Sequence, residues 1–199
     1  GMTRGAGIPE PAVRDRASMW GGVAVTAAVE FRTPQGPQDP LYGHRGYYNE
    51  TTNTIVINVG MLDLPGVDRT QALYSFAIGL VHENFHFVNQ GVYGPDSPQE
   101  EIDAYLATIS AMEEALKDQE VLADAEFFGQ LRAQANMLQV LVDMARGKIT
   151  GADTIQWDAL KGLAIQFLTG QGNRDEILDA LLNRLQSKVY TIGKDKSPL

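Results

Sequence analysis

Leu80-Val81-His82-Glu83-Asn84-Phe85-His86-Phe87-Val88 is the stretch from which the rest of the chain can be read. Its apolar residues continue a stripe that begins at Ala72 and Leu73 and runs through Phe76, Ala77, Leu80 and Val81 to Val88, at the three- and four-residue spacing of a helix. Positions four apart lie one turn apart on the same helical face. His82 and His86 can therefore reach a single metal ion, with the Glu83 carboxylate beside them. The chain has only three histidines, and two of them fall here.

Working outward, Asp68 with Gln71 three residues later predicts the start of this helix, and Gly91 its stop. The metal-binding run then lies near the C-terminal end of a helix of about six turns. Ser97-Pro98-Gln99-Glu100 predicts the next helix, with Ser97 as cap, Pro98 at the first position and Glu100 as capping-box partner. Its apolar face is Ile102, Tyr105, Leu106, Ile109, Met112 and Leu116. Further helices are predicted near 121–146, 154–169 and 174–190.

Upstream, residues 2–18 are rich in Gly, Pro and charge and read as a loose lead-in. Val23, Val25, Ala27, Val29 and Phe31 alternate with smaller or polar residues and predict a strand. Tyr47-Tyr48 and Thr54 to Val59 predict a hairpin about a turn at Asn49 to Asn53. The predicted fold class is α+β and mostly helical: a small antiparallel sheet or hairpin, the histidine helix, a glutamate-bearing helix, then C-terminal helices. The expected division is a core over 19–118 and a helical extension over 119–192 packed on it.

Composition narrows the partners. A hydrophobic content of 44% and a charged content of 21% suit a globular protein. The net charge of −9 argues against nucleic acid or an anionic membrane surface as a partner. No apolar run approaches the roughly 20 residues that span a bilayer, and the Met19–Val29 stretch lacks the basic leader of a signal peptide. A cytoplasmic location is the expectation. With no cysteines, any metal must be held by nitrogen and oxygen.

Two histidines alone make a weak site, since catalytic zinc usually has three protein ligands. A third histidine six residues on is excluded, because that position is Val92. Two adjacent glutamates on the following helix remain. At 100° per residue Glu100 points nearly opposite the apolar face and is engaged at the cap, whereas Glu101 lies on the margin of that face. A carboxylate there is costly unless paired or metal-bound. Glu101 is favoured, with Glu100 and the loop residue His44 as the alternatives.

His82-Glu83-x-x-His86 followed by Glu101-Ile102-Asp103-Ala104 resembles the gluzincin metallopeptidases, particularly the short minigluzincins. The resemblance covers roughly residues 45–115 and implies Zn²⁺ on His82, His86 and Glu101, with Glu83 as general base in peptide-bond hydrolysis. It also implies a peptide or protein substrate that pairs with the edge of the hairpin. At Tyr105 the chain departs from relatives that carry an Asp or Asn to steady a ligand histidine; Asp103 is the substitute the sequence offers. Tyr47, Tyr48, His44, Tyr93 and Tyr105 are the candidates for a donor to the oxyanion. The alternative function is a catalytically silent zinc-binding module whose C-terminal helices engage another protein.

Overall fold

The computed structural model describes residues 10–148 and 154–194. It is an α+β, mostly helical structure with a three-stranded sheet. The chain enters through helix α1 (Glu10–Gly21), where a loose lead-in was expected. Val13, Ala17 and Trp20 recur at four and three residues and are buried. The charges interleaved between them hide this stripe in the sequence. Gly22, at φ +66°, ends the helix in the left-handed conformation that glycine adopts without penalty.

The expected strand at Val23–Phe31 is only partly a strand. Residues 23–27 run back along α1 and are held by side chains rather than by a ladder. Arg14 donates to the carbonyls of Val25 (3.1 Å) and Ala27 (2.9 Å), and Ser18 Oγ accepts from the Val25 amide (3.0 Å). Pairing begins with β1 (Ala28–Arg32), followed by β2 (Gly46–Asn49) and β3 (Thr54–Asn58). The β2–β3 hairpin forms as predicted, but the sheet is mixed rather than antiparallel. β3 is central, antiparallel to β2 and parallel to β1. Ile55, Val56 and Ile57 on the middle strand are all buried: Ile55 and Ile57 belong to the main core, and Val56 is covered on the opposite face of the sheet.

A 3₁₀ turn at Gly60–Asp63 leads into α2 (Arg69–Val88), capped by Asp68 Oδ1 accepting from the Gln71 amide at 3.0 Å. α3 (Pro98–Ala115) packs along α2, and α1 packs against both. A short α4 (Gln119–Leu122) and the long α5 (Ala125–Ala145) follow, then α6 (Thr154–Leu168) and α7 (Arg174–Lys194). α5 lies on α3, and α6 on α5 and α3. One buried cluster contains side chains from α1, the sheet and the later helices, from Val13 to Leu181. No helix among the described residues is long and apolar enough to cross a membrane.

Candidate metal centre

The last two turns of α2 and the first two of α3 meet beside the open edge of the sheet. There His82 Nε2 and His86 Nε2 stand 3.4 Å apart. The Glu101 carboxylate straddles them, with Oε2 3.4 Å from His82 Nε2 and Oε1 3.4 Å from His86 Nε2. These three side chains form a group able to hold a metal ion. A tetrahedron has an edge about 1.63 times its bond length, so zinc–nitrogen bonds of about 2.0–2.1 Å give an edge of about 3.3–3.4 Å. The nitrogen pair already has this separation. Side-chain exposures of 14% and 13% for the histidines keep bulk water off the pair.

The far side of each ring is also engaged. Thr108 Oγ1 donates its proton to the Ala104 carbonyl (2.8 Å) and so accepts from His82 Nδ1 (3.1 Å). His86 Nδ1 donates to Glu100 Oε1 at 2.9 Å. Both partners place the ring proton on Nδ1 and leave the Nε2 lone pairs turned toward each other. Two such nitrogens with a carboxylate beside them can share a cation, whether a metal ion or the proton that the raised pKa keeps on His82 in its absence. The donor set therefore fits zinc.

Two expectations are corrected here. Glu100 is not a capping-box partner, and the Ser97 side chain makes no cap bond. Glu100 instead reaches over the first turn of α3 to His86. Asp103 does not steady a histidine: it accepts from the Tyr93 hydroxyl (2.6 Å) and from Gln99 (2.8 Å). Thr108 has no motif of its own in the sequence, and its one signal is its place seven residues after Glu101, on the same face of α3.

Electrostatics bind the group together. Burial opposes charge on His82, yet its bond to Glu101 and the fields of Glu83 and Glu101 carry its pKa above the usual histidine value. Burial pushes Glu101 up, but the bond from His82 and the fields of both histidines bring it below the usual carboxylate value. Glu83 is raised, mainly by burial, against the lowering influence of His82 and His86. Its carboxylate has no hydrogen-bond partner among the described residues.

Gly46 explains how the sheet approaches Glu83. A Cβ built there would lie 2.7 Å from the Val56 carbonyl oxygen, 3.1 Å from Ile57 Cδ1 and 3.5 Å from Glu83 Cγ. Only glycine lets β2 lie this close. The bond from the Asn58 amide to the Arg45 carbonyl (2.8 Å) fixes the strand's parity. Tyr47 and Asn49 face β3 with their backbone groups, while those of Gly46 and Tyr48 face outward along the free edge. The loop feeding β2 is clasped by Asp39, which accepts from Arg32 (2.5 and 3.0 Å) and from the amides of Gln35 (2.8 Å) and Leu41 (3.0 Å).

The proposed oxyanion donors separate on geometry. The Tyr47 hydroxyl meets Arg32 (3.4 Å), Tyr48 donates to Asn53 (2.6 Å) and Tyr93 to Asp103 (2.6 Å). The Tyr105 ring lies 4.6 Å from the His82 ring, and its hydroxyl has no partner among the described residues. His44 is exposed, yet near enough for its charge to act on Glu83. Comparison with protein-family models, with curated proteins and with solved structures finds no match.

Proposed function

We propose that the protein is a zinc-dependent peptidase acting on peptide or protein substrates in the cytoplasm. The observation that carries this reading is the convergence of His82 Nε2, His86 Nε2 and Glu101 beside an unpartnered Glu83 carboxylate. Zinc held there supplies an open coordination position that acidifies water and polarises a carbonyl.

The chain's own residues supply the remainder. An extended substrate lies along β2, its backbone bonding to the outward groups of Gly46 and Tyr48. Glu83 takes a proton from the attacking water, whose oxygen adds to the carbonyl carbon. As the carbon–nitrogen bond breaks, Glu83 delivers that proton to the departing amine. Burial suits Glu83 to this exchange, because a carboxyl of raised pKa is both a competent base and a ready acid. Of the candidate donors to the developing oxyanion, Tyr105, whose ring lies against His82, and His44 have no side-chain hydrogen bond elsewhere among the described residues.

The test pairs metal content with turnover. Wild-type protein offered zinc and then dialysed is expected to retain about one equivalent, and Glu101→Ala to lose most of it. On a peptide library, Glu83→Gln is expected to keep its zinc while losing about 10²–10⁴-fold in turnover. Cleavage surviving Glu83→Gln would remove the general base from this reading. Zinc retention without cleavage in the wild type would leave the silent metal-binding module.

A further inference from the structure

The sheet has a second edge, along β1, on the far side from β2. The Val59 amide donates to the Arg32 carbonyl (3.1 Å), which fixes the parity of this strand too. Ala28, Glu30 and Arg32 face β3 with their backbone groups, while Val29 and Phe31 turn amide and carbonyl outward. Those outward groups have no hydrogen-bond partner among the described residues. The Val29 and Phe31 side chains pack on the core, so those of Glu30 and Arg32 stand on the other face of the sheet. Arg32 gives Nη1 and Nη2 to Asp39. Its Nε meets Glu30 only at 3.6 Å, and the Glu30 side chain is 56% exposed.

We propose that β1 is a self-association edge, on which a second copy of this chain lays its own β1 antiparallel about a two-fold axis at Phe31. In that register the outward amide and carbonyl of each Phe31 meet the carbonyl and amide of the other, and Val29 reaches the second copy's Thr33. Glu30 then stands opposite the second copy's Arg32 at a non-hydrogen-bonded position, where cross-strand side chains come closest. Each Arg32 Nε, held in place by the Asp39 clasp, gains a carboxylate. A two-fold at Glu30 or at Arg32 would satisfy the backbone equally but oppose like charges, so the charges select the axis. Copies of a chain of net charge −9 repel as wholes, and a shared face has to be locally complementary, as this edge is to itself. The joined sheet has both β2 edges at its ends, clear of the contact.

Sedimentation of the full chain is expected to show a dimer with a dissociation constant of about 1–100 µM, as suits an interface of one short strand. Val29→Pro deletes an outward amide and spares the ladder to β3. Glu30→Arg, at an exposed position, sets like charges across the axis. Each is expected to weaken the dimer by about tenfold or more, with the circular dichroism of wild type. Should Val29→Pro unfold, Glu30→Arg decides alone. The chain has no cysteine, so a spin label on Ala28→Cys reports the register without background. The two labels lie about six residue steps apart along the paired strands, a separation of about 20–25 Å. A monomer throughout the concentration range overturns the self-pair and leaves the edge to an extended segment of another protein. A dimer indifferent to both variants, or a label distance far from that separation, puts the contact elsewhere and overturns it too.

Discussion

Thr108 and Glu100 hold the two histidines from behind, and the site depends on both. Thr108→Val removes the acceptor on His82 Nδ1, and Glu100→Gln removes the charge on His86 Nδ1. Each is expected to weaken zinc binding by about 10–100-fold with the fold intact, as read by competition with a chromophoric chelator. Acidity acts at the same atoms. In the metal-free protein His82 has a pKa above 6.5, so its stabilising contribution is complete below 6.5 and is lost as pH rises through the raised value. Glu101 is depressed below 4.5, so its contribution is present above 4.5 and is lost as pH falls through the lowered value. Zinc must displace the His82 proton. Below the raised histidine pKa its affinity should therefore fall by about tenfold per pH unit, measurable as proton release in buffers of differing ionisation heat. The histidine pair and Glu83 were legible because few spacings put two imidazoles on one helical turn. Glu100 was not, because its register turns it away from the apolar face of α3. The site lies instead at the first turn of that helix, beside α2.

Among the elements, β2 is the one whose single small residue sets its distance from the chemistry. Gly46→Ala would put a methyl group 2.7 Å from the Val56 oxygen and force strand or helix to give way. The expected result is zinc retained near wild-type level and turnover reduced by about 10²-fold, since a displacement of about 1 Å at the reacting groups is enough for that loss. Unchanged turnover would mean that β2 does not position substrate. The hairpin was legible from its β-branched run and turn residues. The parallel pairing of β1 was not, because strand order depends on how α1 and the 33–45 loop carry the chain around. α1 itself left a readable trace in Val13, Ala17 and Trp20, obscured by Pro11 and the charges at Arg14, Asp15 and Arg16.

Over the whole molecule, the buried cluster joins the metal helices to the C-terminal ones. Leu160 on α6 is 1% exposed and belongs to the same cluster as Leu80 on α2. Leu160→Ala is expected to cost about 2–5 kcal/mol. Circular dichroism and zinc release should then report one shared melting transition; zinc release at the wild-type temperature would show that α6 is not coupled to the site. The amphipathic periods of α5 to α7 were legible, but a stripe does not name its partner: α5 and α6 lie on α3, whereas α7 lies on α6. Charge, finally, is distributed to one end: −9 over the chain, with Glu83, Glu100 and Glu101 gathered around the two histidines. A cation approaching from afar is drawn by the whole molecule, with a reach of roughly a Debye length, about 8 Å in physiological salt. Added salt therefore screens that long pull before it touches the buried contacts, and moderate ionic strength should slow capture of an ion more than it hastens release.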